Sequence, residues 1–413
     1  MLRLPRWHSP IDRFSIIVAF IALLLFVLEQ VNGRFWLNDL RVYYDAALAM
    51  RNGSAVYGEA FGLSSGFYKY APVVALLFTP YTLLPFGAAA VVHFVLMVVA
   101  FVAAVRLADT LLRDHLLPGL QPAFTPLLIT FLVVVVHLHR ELHLGNVNVL
   151  LLCLLLFTLH QLVRGKALLA GALFGLALLV KPHFMVLVPL LVLHGQWRTL
   201  LATAATVALG LVLPALFTGW GANLLLHREW LDQMARHNAA LIYLGGSAYE
   251  NVNTVYSLLH RTLLGRLGAP GTNTEALIIL AFIALAVGAL VLHDLRKHAS
   301  GPQRRRALVF HFLLLLALVP SLTLTDSEHF ILALPLVLYV ALQPSAGAPR
   351  WLLAAAIPAY LLYGGNWEDA LGPLSERMIH YGVLGMGNLL IIALAVALYL
   401  RSHLSDPHVS NPA

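Results

Sequence analysis

The sequence predicts an all-α integral membrane protein. Of its 413 residues, 60% are hydrophobic and only 11% are charged, the mean hydropathy is +0.83, and the apolar residues gather into about a dozen separate runs, where an average soluble domain carries about a quarter charged residues. A helix needs about 20 apolar residues to cross the hydrocarbon core, so the runs account for most of the chain. We therefore expect a single transmembrane domain over residues 1–413, with little left for a soluble one.

Taken in order, the runs read as spans at 15–31, 88–107, 124–138, 147–163, 167–180, 183–193, 199–217, 275–293, 307–322, 330–342, 351–363 and 383–400. Arg3, Arg6 and Arg13 precede the first. That run is long for a signal peptide and no A-x-A site follows it, so it reads as an uncleaved span. The runs 167–180 and 183–193 are each too short to cross alone and meet at Lys181-Pro182, where proline removes a backbone donor and breaks the helix. Broken helices are tolerated in a membrane only against protein or a water-filled cavity. The stretch 72–85, interrupted by Pro80, is either a thirteenth span or a helix lying in the interface.

Positive charge decides between these, because cytoplasmic loops are enriched in Lys and Arg. With 72–85 in the interface, 15 of the 26 Lys and Arg are cytoplasmic, from Arg3 through Arg106, Lys166, Arg198 and Arg304–Arg306 to Arg401. With 72–85 as a span only 10 are. About twelve spans and two cytoplasmic termini follow. The long external loops are 32–87, 218–274 and 364–380, so chemistry is expected on the external face of the plasma (inner) membrane. The net charge of +7 is then a matter of topology, and no nucleic-acid partner is expected. The single cysteine, Cys153, excludes an intrachain disulfide.

The first external loop carries Asn38-Asp39-Leu40-Arg41-Val42-Tyr43-Tyr44-Asp45 and reaches Asn52-Gly53, a helix with a glycine stop. At about 100° per residue, Asp39, Tyr43 and Ala46 share one face and Asp45 points elsewhere. Asp39 is either a general base at the water edge or the cap of its own helix. Lys181, one of few lysines, either meets an anionic phosphate or snorkels to the interface. Asn146 and Asn148 in Gly145-Asn146-Val147-Asn148, which follows Arg140-Glu141, either bond a sugar or cap the next helix. Asn251 and Asn253, after Trp230 and Tyr249, suit carbohydrate or an interfacial belt. Asp326-Ser327-Glu328-His329 opens a span: a histidine there can donate a hydrogen bond to a phosphate oxygen at the membrane surface, and the two acids fit a helix dipole better than a metal. His137, His139 and His143 read as a polar helix end. Gly171 and Gly175 form a helix-packing pair. No phosphate-binding loop, dinucleotide fingerprint, HExxH or D-x-D occurs, which disfavours a cytoplasmic nucleotide-sugar enzyme or an ATP-driven pump.

The order Asp39-Leu40-x-Val42-Tyr43 with Ala46-Ala47, Gly53 and Tyr57, Tyr70-x-Pro72, Gly145-x-x-Asn148, Gly171 to Lys181-Pro182, Asn251-x-Asn253, and His329 with Pro335 resembles glycosyltransferase family 87, over about residues 35–340. The helices over 345–400 carry little of the likeness. Members often have Gly-Gln-x-Asn where this chain has Gly145-Asn146-Val147-Asn148. The resemblance implies the C-type architecture with interfacial helices in the first external loop. It also implies a polyprenyl monophosphate sugar donor, as in actinobacterial mannosyltransferases, and transfer of mannose or another hexose or pentose, with inversion, to a lipid or glycan acceptor. On it, Asp39 is the catalytic base, Lys181 and His329 lie near the donor phosphate, and Tyr43, Tyr70, Asn146, Asn148, Asn251 and Asn253 contact substrate. No metal or cofactor is expected. The rival readings are a lipid-linked oligosaccharide ligase or polymerase, and a transporter or flippase.

Overall fold

A computed structural model describes residues 9–62, 66–237, 253–298 and 300–404. The helices in chain order are α1 (Pro10–Val31), α2 (Asn38–Asn52), α3 (Pro72–Phe78), α4 (Phe86–Leu111), α5 (Phe124–Leu144), α6 (Asn148–Val163), α7 (Ala167–Val180), α8 (Val188–Leu193), α9 (Trp197–Val212), α10 (Ala215–Thr218), α11 (Trp220–His237), α12 (Val255–Leu259), α13 (Asn273–Lys297), α14 (Gly301–Leu322), α15 (Leu334–Leu342), α16 (Arg350–Gly364), α17 (Glu368–Leu371), α18 (Pro373–Tyr381) and α19 (Val383–Leu404). A hairpin of two two-residue strands, Ala60–Phe61 and Gly66–Phe67, interrupts the first external loop.

Each apolar run of the sequence lies mostly on helix, and among the described residues eight helices are long and apolar enough to cross a membrane. Several extend beyond their runs. α5 continues through His139, Arg140, Glu141 and His143 to Leu144, and α14 begins at Gly301, upstream of Arg304 to Arg306. Hydropathy marks the depth of lipid, whereas the helix itself persists while its hydrogen bonds do. The stretch 72–85 forms α3 and a 3₁₀ turn, Thr79–Leu83. Together these fall well short of the roughly 20 residues a span needs, and Leu77 and Leu83 stay exposed, as an interfacial segment requires.

The chain divides into two compact units. The first comprises residues 15–107 and 138–240, and the second comprises residues 1–14, 108–137 and 241–413. Within the first, α7 lies directly on α9. A Cβ at Gly171 would stand 2.3 Å from the Thr199 carbonyl oxygen and one at Gly175 would stand 2.7 Å from Thr206 Cβ, so the small-residue pair permits the backbone contact that its spacing predicts. Thr203 Oγ1 donates to the Gly171 carbonyl at 3.1 Å. Within the second, α14 is buried continuously from Ala307 to Ser321, and Asn388 of α19 donates to the Ala317 carbonyl at 3.0 Å. The Asp294 carboxylate accepts from Tyr399 at 2.7 Å and lies 3.1 Å from His311 Nε2, which partners an acid set among apolar helices.

Candidate functional site

The site begins where α2 meets the turn between α5 and α6. The residue before α2 is Leu37, fully buried and in the left-handed conformation (φ 40°, ψ 57°), the one non-glycine with positive φ among the described residues. Such a backbone costs a non-glycine residue about 1–3 kcal/mol and persists only when packing over-determines it. The packing partner is Gly145, itself at φ +69°, where a Cβ would lie 2.9 Å from Leu37 Cβ and 3.0 Å from Leu40 Cβ. Only glycine fits both the conformation and the gap. His93 of α4 holds this turn from the other side: Nε2 is 3.1 Å from the Gly145 carbonyl and Nδ1 is 3.2 Å from Tyr81 Oη.

This close approach brings Asn146 to Asp39. Asn146 Nδ2 donates to Asp39 Oδ2 at 2.6 Å, and its Oδ1 accepts from the Val147 N–H at 2.7 Å and from Tyr43 Oη at 3.4 Å. Tyr43 and Tyr70 hydroxyls are 3.0 Å apart. Asp39 therefore does not occupy the cap position of α2. That falls to Leu37, which has no side chain to cap with, and the Asp39 carboxylate benefits instead from the first-turn dipole. Tyr43 and Ala46 are buried and Asp45 is partly exposed, as the helical phase predicts. Burial, reinforced by Tyr70 and the Asp39 charge, holds the Tyr43 phenol well above its ordinary range, so it remains a neutral donor. Tyr57 donates to the Tyr70 carbonyl at 2.7 Å, and Trp230 of α11 donates to the adjacent Lys69 carbonyl at 3.1 Å; both steady the loop that carries Tyr70.

Two residues further on, Asn148 starts a second chain of bonds. Lys181 Nζ donates to Asn148 Oδ1 at 2.5 Å, Asn148 Nδ2 donates to Glu141 Oε1 at 2.5 Å, and Glu141 Oε2 accepts from the Val149 N–H at 3.2 Å. Asn148 and Glu141 are fully buried and Lys181 is 6% exposed. The ammonium is thus turned inward, the reverse of snorkelling. α7 ends at Val180 because Pro182 cannot continue it, and Lys181 leaves the helix extended (φ −135°, ψ 98°), which aims its side chain at α6. Neither asparagine caps α6 with its side chain; Glu141 supplies the acceptor at that helix start instead. Sequence reasoning passed over Glu141 as a neighbour of the Gly145-Asn148 motif. An acid at the end of an apolar span was the available signal.

His329 and Asn253 belong to the second unit. His329 is buried in a 3₁₀ turn, Ser327–Ala333, with Nδ1 3.7 Å from Glu328 Oε1. Asn253 is buried and its Oδ1 accepts from the Gly385 N–H at 3.2 Å, a tie to α19. Asn251 lies outside the described residues. The three histidines of α5 separate: His137 contacts the Tyr363 carbonyl at 3.2 Å, while His139 and His143 both approach Glu29, at 3.9 and 3.0 Å. No group of three His, Cys, Asp or Glu side chains among the described residues is arranged to hold a metal ion.

A multi-span helical protein with a carboxylate, an ammonium and amides gathered at helix ends fits a membrane-embedded transferase. The profile of glycosyltransferase family 87 matches residues 67–325, well over half of the chain, and the chain belongs to that family. Relatives from three species carry the name Alpha-(1->3)-arabinofuranosyltransferase. That of Corynebacterium glutamicum is 30% identical over 46% of this chain and 43% of its own length. That of Mycobacterium tuberculosis is 30% identical over 43% and 40%. That of Mycolicibacterium smegmatis is 26% identical over 88% and 80%. The first two matches thus span less than half of each relative. The sugar in these names is a pentose, so mannose is not supported. A solved structure, ArnT from Cupriavidus metallidurans bound to undecaprenyl phosphate, is similar over 93% of this chain and 77% of that one, with a TM-score of 0.36 and 14% identity.

Proposed function

We propose that this protein transfers a pentose, arabinofuranose in the first instance, from a polyprenyl monophosphate donor to a hydroxyl of a lipid or glycan acceptor, with inversion. The observation that carries this reading is the Asp39 carboxylate, held by Asn146 at 2.6 Å within a unit that also holds the inward-turned Lys181. Asp39 removes the proton of the acceptor hydroxyl. The freed oxygen attacks the anomeric carbon, the carbon–oxygen bond to phosphate breaks on the opposite face, and polyprenyl phosphate departs with the bonding electrons. A phosphate leaving group needs no protonating acid, so one carboxylate suffices, unlike the pair used in glycoside hydrolysis. The electrostatic task is to stabilise the charge gathering on the phosphate. We assign it to Lys181 and His329, and we assign Tyr43, Tyr70, Asn146, Asn148, Asn251 and Asn253 to substrate. The whole chain acts as one catalytic domain in the plasma membrane, with the site external and both termini cytoplasmic.

The relatives' shared name supports the pentose, and the position of Lys181 at the break after α7 supports an anionic headgroup there. The test is incubation of purified protein in lipid with a panel of radiolabelled polyprenyl-phosphate sugars. Transfer from the arabinofuranosyl donor is expected. Transfer from the mannosyl donor alone overturns the sugar assignment, and transfer from none overturns the donor class.

A further inference from the structure

We propose that Glu141 is a positioning residue for the donor phosphate: through Asn148 it fixes the aim of the Lys181 ammonium. This rests on the donor reading above. An ammonium has only donors and an ionised carboxylate only acceptors, whereas an amide has one side of each kind. Asn148 lies between the two, with Oδ1 toward Lys181 and Nδ2 toward Glu141. The carboxylate thereby settles which way the amide faces, and the bonds run in one direction, from Lys181 to Asn148 to Glu141.

Two further features show that Glu141 is itself held in place. Its second oxygen accepts the Val149 N–H, which fixes the carboxylate at the start of α6, where the helix dipole favours a negative charge. It is also completely buried, so its orientation is set by these partners and not by solvent. The geometry keeps the compensating charge one side chain away from the ammonium. A carboxylate in direct contact with Lys181 would compete with a phosphate for the same N–H groups. With Asn148 interposed, Glu141 helps to balance the buried cation through the amide and without a bond of its own to the ammonium.

Capping of α6 alone is the competing role for Glu141, and two variants separate it from positioning. In Glu141→Gln the acceptor-only group becomes an amide. Either Val149 or Asn148 loses its acceptor, or Asn148 turns over and presents N–H groups to an ammonium that can only donate. In the double variant Glu141→Gln with Asn148→Asp the chain closes again: the glutamine oxygen takes the Val149 N–H, its amide donates to the new carboxylate, and Lys181 donates to that carboxylate. The charge is conserved, but it now sits on the ammonium.

The probe is a polyprenyl monophosphate without sugar, titrated into the full-length protein in detergent, with thermal unfolding followed in parallel. Wild type is expected to bind. Glu141→Gln is expected to bind about tenfold more weakly or worse, the size expected for a hydrogen bond to a charged group. The double variant is expected to recover the unfolding temperature but not the affinity. In transfer assays Glu141→Gln should raise KM for the donor and leave KM for the acceptor unchanged. Wild-type affinity in Glu141→Gln would overturn the proposal. So would affinity and unfolding temperature falling and recovering together across the three proteins, the mark of a cap and nothing more. If wild type itself does not bind the lipid, the donor reading falls and this role with it. Binding by wild type with no change in the variants removes this role alone.

Discussion

Gly145→Ala tests whether the turn between α5 and α6 builds the surroundings of Asp39. The left-handed conformation at this position (φ +69°) costs a non-glycine residue roughly 1–2 kcal/mol. The added Cβ would stand 2.9 Å from Leu37 Cβ, and relieving that to an ordinary contact of about 3.4 Å means moving the turn or α2 by about 0.5 Å, a forced shift that typically costs about 1–3 kcal/mol in a packed interior. The sum is about 2–5 kcal/mol of stability. The same shift stretches the bond from Asn146 to Asp39 beyond its present 2.6 Å. Since a misplacement of about 1 Å can lower a rate by about 10², a loss of roughly tenfold is expected. Gly165→Ala is the control, because Gly165 has φ +75° with nothing within 4 Å; it should show only the conformational cost and keep its rate. The assay pairs thermal unfolding of detergent-purified protein with transfer from a radiolabelled donor. If Gly145→Ala behaves like Gly165→Ala in both measurements, the close contact with Leu37 is not what organises the site.

Two further outcomes follow from the same geometry. Lys181→Ala should weaken polyprenyl phosphate binding by about tenfold or more, and Lys181→Arg should not fully restore it, because a planar fork does not occupy the place of a compact point charge; a lipid titration in which Lys181→Ala matches wild type would refute the phosphate assignment. Burial raises the Asp45 carboxyl above its ordinary 3.8, opposed in part by Arg41, so the folded chain keeps a proton there that the unfolded chain loses, and stability falls as pH rises through the window just above 3.8. Asp45→Asn should therefore unfold at a higher temperature than wild type at neutral pH, with the difference vanishing below that window, and should keep transfer within a few-fold; a variant less stable at neutral pH contradicts this.

The helices were legible because lipid imposes a coarse, local demand that apolar runs record directly. The break at Lys181-Pro182 and the packing role of Gly171 and Gly175 were legible because each depends on one residue type at one spacing; that α9 is the partner of this pair was not. Asp39 and Tyr43 share a face because a helix repeats every 3.6 residues. Other features lay in pairings that spacing does not encode. Whether Asp39 capped its helix depended on where α2 begins, and the left-handed Leu37 set that start only because Gly145, more than 100 positions away, packs against it. Glu141 gains meaning only when α6 folds back to place Asn148 and Val149 against it. His93 is one residue in an apolar run until the Gly145 carbonyl meets it. The small hairpin at Ala60 and Gly66 is too short to leave an alternating pattern.

Asp39 as catalytic base is the central claim, and Asp39→Asn tests it most directly. The amide keeps the size of the carboxylate and an oxygen to accept from Asn146, so the variant should fold and bind a polyprenyl monophosphate as wild type does. Transfer of arabinofuranose from the labelled lipid donor should fall by about 10² to 10⁴, the usual consequence of losing a general base. A folded Asp39→Asn protein that transfers at the wild-type rate would contradict the account.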